Sequence, residues 1–244
     1  MAQRGWNRVE IPKTSQLIAK RIAGRILRGE LKPGDFLPPE GELARELGIS
    51  RMSLREGLRV LETQGLVSVR AGRKGGIRVE EPDTRVLAST LTLLIQVQKV
   101  SLESILEARI AVESVCARLA ALRRNPESCQ ALQRSVQSVE LDDTWYAHAV
   151  DFHVCLGYAS GNPVLALIVD ALHEIIFISA YQGHLSEDKR KETVRAHQKI
   201  VEAIFAGDAD AAERRVRKHL EAFAKTLEEI YGKPLSDIYL ECDY

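Results

Sequence analysis

The 244 residues carry 34 Lys and Arg against 34 Asp and Glu, with 45% hydrophobic and 28% charged residues, which excludes a disordered, collagen-like or disulfide-scaffold chain and leaves room for two ordinary domains. The zero net charge hides an asymmetry: residues 1–80 hold 16 basic and 9 acidic side chains, a net of +7, so the remainder holds 18 and 25, a net of −7. A basic first domain followed by an acidic second one calls for a polyanion partner at the first, because cations placed against phosphates release condensed counterions.

A helix is predicted over 15–27 from the spacing of Leu17, Ile18, Ile22, Ile26 and Leu27, ended by Gly29 and the Pro33-Gly34 turn. Pro38-Pro39 opens a short second helix through EGELARELG, with Pro39 in its first turn, Leu43, Ala44 and Leu47 as the buried stripe, and Gly48 as C-cap. The link Gly48-Ile49-Ser50 has the length of a helix-turn-helix joint, and Ser50 caps a third helix whose Leu54, Leu58 and Leu61 fall on one side. After Gly65 the period changes to two: Val67 and Val69 alternate with Ser68 and Arg70, and past a glycine-rich turn Ile77 and Val79 flank Arg78, a β-hairpin. Three helices and a hairpin make a winged helix-turn-helix over residues 1–80, with residues 80–83 as linker.

Beyond the linker helical periodicity recurs at roughly 85–99, 102–123, 127–139, 144–159, 163–182, 187–206 and 208–231. Ser101 is placed as an N-cap, and Asn125-Pro126, Gly161-Asn162-Pro163 and Gly207-Asp208 separate helices. The expected fold class is mainly α, the winged helix-turn-helix followed by an all-α bundle over 84–240. The apolar runs fall short of the roughly 18–20 residues a bilayer span needs, and the amino terminus lacks a secretory apolar core. The expectation is a cytoplasmic protein without a membrane partner. Cys116, Cys129, Cys155 and Cys242 are scattered, form no C-x-x-C pair, and read as reduced apolar filler.

Arg51, Arg55 and Arg59 sit at i, i+4 and i+8, on a stripe separate from the leucines of the third helix. Arginine matches guanine or phosphate with two parallel hydrogen bonds, so this stripe suits a recognition helix. The bland alternative is a solvated face with Glu56 and Glu62 as local partners. Context favours DNA: the hairpin turn Ala71-Gly72-Arg73-Lys74-Gly75-Gly76 adds two cations that can lie along a backbone or minor groove.

In the helical half His153 lies with Phe152 and Leu156, His197 shares a face with Val194, Val201 and Ile204, and His219 shares one with Val216, Leu220 and Phe223. Each alone reads as a core histidine, yet three from separate helices of one bundle can converge on a metal. Arg109 falls on an inward stripe with Ile105, Leu106, Val112, Glu113 and Cys116, where a guanidinium must be paired. Glu113 at i+4 is the local partner. Asn162 is a turn residue or a polar ligand contact, and His173 and Tyr181 are weaker candidates for lining a cavity.

The run LKPGDFLPPEGELARELGISRMSLREGLRVLETQGLVSVRAGRKGG resembles the amino-terminal signature of the GntR family of bacterial transcription regulators. The remainder resembles the FCD-type ligand domain of the FadR-like subfamily, through EARIAVE near Arg109, DFH at Asp151 to His153, SGNPVL from Ser160, and RAHQKIVEAIFAGDADAAERRVRKHL from Arg195. The resemblance implies a homodimeric repressor reading a palindromic double-stranded operator, with Ser50, Arg51, Ser53, Arg55 and Gly72 at DNA-contacting positions. Met52 and Gly41 depart from the familiar pattern, so base preference does not carry over. It also implies that His153, His197 and His219 join an aspartate one turn before the first of them, and that a divalent metal such as zinc helps hold a small organic acid, a carboxylate or sugar acid, clamped by Arg109.

Here that aspartate position is Ala149, and Asp151 points to another side of its helix. The expectation is a weaker three-histidine site with more positions open to water or effector oxygens; His148 substitutes only if the helix distorts. Three other readings stay open: histidines binding an anion without metal, a DNA-binding regulator that has lost effector sensing, and a zinc-dependent enzyme, for which only Glu113 or Glu174 offers a base.

Overall fold

The computed structural model describes residues 13–72, 75–137, 145–180 and 185–240. The chain divides into two compact units, Met1–Val86 and Leu87–Tyr244.

The first unit is built from α1 (Thr14–Leu27), α2 (Glu40–Leu47), α3 (Arg51–Thr63) and the antiparallel hairpin β1 (Val67–Arg70) and β2 (Gly76–Val79), with Val67 opposite Val79 and Arg70 opposite Gly76. Its core joins Ile18 and Ile22 of α1 to Leu43, Leu54, Leu58, Leu61, Val67, Ile77 and Val79. Leu54, Leu58 and Leu61 are buried together as their spacing predicted. Leu17 and Leu27 are not: they are 51% and 81% exposed. At 3.6 residues per turn they stand about 100° and 180° round from Ile18, and α1 buries only the stripe of Ser15, Ile18, Ala19 and Ile22.

Gly57 of α3 faces that stripe, and a Cβ there would lie 3.0 Å from the Ser15 carbonyl oxygen and from Ile18 Cγ2. The glycine therefore sets how closely the two helices approach. Pro39 is the N-cap of α2 rather than its first helical residue, with φ −50° and ψ 144°. Its carbonyl accepts from Leu43 N at 2.9 Å, while Glu40 and Glu42 in the first turn suit the positive end of the helix dipole. Gly48 closes α2 at φ 67°. A feature that sequence pattern missed is a short extended segment beside β2: Leu37 N donates to the Ile77 carbonyl at 2.9 Å and Val79 N to the Asp35 carbonyl at 2.8 Å. Those residues lack alternation, being too few to show a period.

The remaining helices are α4 (Thr84–Val97), α5 (Leu102–Arg123), α6 (Pro126–Gln137), α7 (Trp145–Ala159), α8 (Pro163–Ala180), α9 (Glu187–Ala206) and α10 (Ala209–Tyr231). Ser101, Ser186 and Asp208 cap α5, α9 and α10 with their side-chain oxygens. Helix α5 packs against α7, α8, α9 and α10. Its first turns, Leu102, Ile105 and Leu106, enter one apolar cluster with Leu172, Ile175 and Ile176. Its later turns, Cys116, Ala117 and Ala120, enter another with Phe152, Leu156, Ile200 and Leu220. Arg109 and Glu113 belong to neither cluster and fall between them along the helix. Each fully buried Leu or Ile contributes about 1.5–3 kcal/mol, which lets the bundle tolerate a polar centre.

No helix among the described residues is long and apolar enough to cross a membrane. Cys116 and Cys129 are buried and Cys155 half-buried; burial, and then the Glu113 charge, push the Cys116 thiol up to about 12. Cys242 lies outside the described residues.

Candidate DNA interface and buried polar site

Helix α3 starts at Ser50, whose hydroxyl accepts from Ser53 N at 3.1 Å and lies 2.9 Å from Ser53 Oγ. The cap fixes the first turn, so Arg51, Arg55 and Arg59 stand exposed along one side, with Met52 beside them 74% exposed. Arg51 lies over α2: its nearest guanidinium nitrogen is 2.8 Å from where a Cβ on Gly41 would stand. Arg55 pairs through Nε with Glu40 Oε2 at 2.8 Å. The partner is on α2, neither Glu56 nor Glu62 as the local reading had it; Glu62 instead accepts from Val69 N at 2.8 Å and ties α3 to the wing. An exposed pair of this kind contributes only about 0–1 kcal/mol, so releasing Glu40 would cost Arg55 little. In the wing turn Gly72 has φ 107°, and a Cβ on Gly75 would lie 2.1 Å from the Arg70 carbonyl oxygen, so only glycine fits. Arg73 and Lys74 lie outside the described residues.

In the second unit five helices bring polar side chains to one buried point. From α5, Arg109 Nε donates to Glu113 Oε1 at 2.5 Å, with both side chains almost fully buried. Glu113 Oε2 lies 2.5 Å from His153 Nδ1 of α7. Helices α9 and α10 bring His197 Nε2 and His219 Nε2 to 3.1 Å from each other. Helix α8 adds His173, whose ring centroid is 5.5 Å from that of His153. Phe152 stacks on His197 at 3.8 Å and 12°, holding that ring in orientation, and the Arg109 guanidinium lies 5.7 Å over the Phe223 ring.

Burial first, then the Arg109 and His219 charges, push His153 well below the usual imidazole range. Burial followed by His219 and His153 does the same for His197. His219 is lowered to about 4 by burial and Arg109, with Glu113 opposing. These imidazoles are neutral at pH 7. His153, facing a carboxylate at Nδ1, therefore donates from Nδ1–H and keeps a lone pair on Nε2.

Those observations test the fit to a divalent ion. One ligand atom from each of His153, His197 and His219 lies within 4.8 Å of the others. The 3.1 Å between two Nε2 atoms is the spacing of neighbouring ligands each about 2.0–2.1 Å from a shared ion. The Glu113–His153 contact is the carboxylate–histidine support that metal-bound imidazoles commonly have. The residues fit a metal. The carboxylate ligand expected from resemblance is absent, since Ala149 occupies its place on α7, one turn before His153.

The sequence offered Glu113 either as the partner of Arg109 or as a base beside the histidines; it contacts both Arg109 and His153. Having both oxygens engaged, it orients its neighbours and is a poor general base. Asn162 does not join the site: its Oδ1 accepts from Val164 N at 3.0 Å and Leu165 N at 3.4 Å, capping α8, and no described contact links it to the histidines. Tyr181 and the side chains of His148 and Asp151 lie outside the described residues. A cavity of about 320 Å³ opens between α9 and α10, reaching His219 and Phe223 under a rim that includes Arg195, Lys199 and Lys218.

An arginine-bearing helix-turn-helix with a wing, carried in one chain with a helical unit that encloses a polar site, defines a DNA-binding transcription regulator. Residues 14–79 match the family described as bacterial regulatory proteins, gntR family, and residues 104–222 match the FCD domain. The chain is 33% identical over 218 residues to the HTH-type transcriptional regulator Mce2R of Mycobacterium tuberculosis (strain CDC 1551 / Oshkosh), covering 84% of this chain and 87% of that protein. It is 30% identical over 230 residues to the Glc operon transcriptional activator of Escherichia coli (strain K12), covering 88% and 89%. Among solved structures it is similar to Streptococcus agalactiae GntR, with a TM-score of 0.67 at 25% identity, covering 87% of this chain and 99% of that one. The chain belongs to the GntR family of bacterial regulatory proteins, with an FCD domain as its helical half, and is a regulator and not an enzyme.

Proposed function

We propose that this regulator changes its hold on a palindromic operator when a small organic acid enters the helical domain. Residues 1–80 read the operator, and residues 84–240 hold the effector and pair two copies as a homodimer. Ser50, Arg51, Ser53, Arg55, Arg59, Gly72, Arg73 and Lys74 form the DNA face. Arg109, His153, His197 and His219 form the effector site. Asn162 is left out of it.

The observation that supports this reading most is Arg109. Among the described residues only its Nε is hydrogen-bonded, which leaves the terminal amino groups of a buried guanidinium for an incoming carboxylate. A divalent ion held by the three histidines would supply a Lewis-acidic contact to the same acid. It would also leave the centre with a net positive charge, since Arg109 and Glu113 cancel and the imidazoles are neutral. An anionic ligand restores the balance.

Repression belongs to this proposal, and one relative is an activator; the sign is read from a reporter driven by the protein's own promoter. The test of the proposal is retardation of that promoter DNA, with and without a panel of small carboxylates, for the wild type and Arg109→Ala. The wild type should retard DNA and respond to at least one acid, while Arg109→Ala should retard DNA and ignore every acid. A response that survives Arg109→Ala would overturn the assignment.

A further inference from the structure

His173 is the polar residue that the site as described leaves without work. It comes from α8 between Leu172 and the apolar pair Ile175 and Ile176, and is itself only 5% exposed. Neither of its ring nitrogens has a hydrogen-bond partner among the described residues. The other buried histidines are engaged, His153 with Glu113 and His197 with His219. A leucine at 173 would extend the apolar face of α8, whereas a buried imidazole with two unmet groups destabilises the protein unless something meets them. The ring is next to that of His153 and within the field of Arg109 and Glu113. Its nitrogens are outside the group of ligand atoms that converge for a metal, so it faces the centre without completing the ion's donor set.

We propose that His173 reads the ligand: it hydrogen-bonds a hydroxyl of the acid whose carboxylate Arg109 holds, and so selects hydroxy acids over their deoxy counterparts. A neutral imidazole has one N–H donor and one lone pair, and both nitrogens of this one are unmet. A hydroxyl can accept from the first or donate to the second, and suits either tautomer. A carboxylate oxygen can only accept, and a methylene does neither. The proposal rests on the small-acid reading above and gives that acid a chemical class.

The experiment is isothermal titration of the full-length protein, with its metal as purified, against two pairs of acids that differ by one hydroxyl: lactate with propanoate, and malate with succinate. The proteins are the wild type, His173→Leu and His173→Gln. The wild type should bind the hydroxy member of at least one pair about tenfold more tightly, the effect of one buried hydrogen bond. His173→Leu should reduce that ratio to about twofold or less while the deoxy acid binds as before, and His173→Gln, which keeps a donor and an acceptor, should recover part of it. Without ligand, His173→Leu should melt a few degrees above the wild type, on the order of 2–4 °C, because the unmet polar group is gone.

A hydroxyl preference that persists in His173→Leu would assign it to the metal and overturn the proposal. So would equal weakening of both acids in a pair, which marks a packing role. If deoxy and hydroxy acids bind alike to the wild type, the small-acid reading stands and His173 has no part in selection. If none of the four acids binds, the small-acid reading fails and this proposal goes with it.

Discussion

The two units carry chemistry in opposite ways. In the first, the arginines assigned to DNA on α3, Arg51, Arg55 and Arg59, lie on its outside within nine residues, over a mainly apolar core. In the second, the assigned side chains come from five helices spread from Arg109 to His219 and, the half-buried His219 aside, are buried in the interior. Local contacts therefore decide what the first unit does, and packing decides what the second does. An exposed arginine of the first can be changed at little cost to the fold, while almost any change at the second is also a change in stability.

Four measurements break or sharpen that contrast. The largest effect is expected for Arg109→Ala, which leaves Glu113 as a buried charge without its guanidinium. Chemical denaturation should show the helical unit destabilised by about 3–5 kcal/mol, and a loss under 1 kcal/mol would mean that water replaces the arginine. Acidification comes next. The unfolded chain takes up protons on its histidines near pH 6.5, and the folded unit resists, so below that pH the unfolded state binds more protons. Stability should be intact above about 6.5 and fall as the pH approaches the value near 4 of His219. His219 alone accounts for as much as about 3 kcal/mol, and no such loss should appear in the first unit, where no histidine occurs.

For Arg51→Ala or Arg55→Ala, operator affinity should drop by about 1–3 kcal/mol while the melting temperature stays within a degree or two, checked by retardation and calorimetry on the same samples. A large stability loss would erase the distinction between the units. The smallest effect is that of Ser50→Ala, about 1 kcal/mol on the first unit from the lost cap, measured by denaturant midpoint.

The same contrast explains what the sequence disclosed. The helical period placed α5 and α9 at 102–123 and 187–206, with the bounds the structure has, because long helices with a serine cap and an Asn-Pro or glycine stop mark themselves. The winged unit was legible for the same reason, down to Ser50. What pattern could not show was pairing across distance. Nothing local to Glu113 announces His153, 40 residues away, nor Glu40 as the partner of Arg55 from the preceding helix. His173 reads as one polar residue on an apolar helix until both of its nitrogens are seen to be unmet. Asn162, by contrast, was ambiguous only until the N–H groups of Val164 and Leu165 were found on its side chain.

Gly57 has a mechanical consequence. At Gly57 α3 has no side chain of its own, so there it meets α1 closely, near the Ser15 carbonyl and the Ile18 methyl. That close contact restricts rocking and sliding at the middle of the helix, and Ser50 caps its leading end. The arginine face is a rigid stamp. Under the proposed regulation, a signal from the helical domain would move the stamp as a whole, changing where the imprint falls and leaving its shape alone.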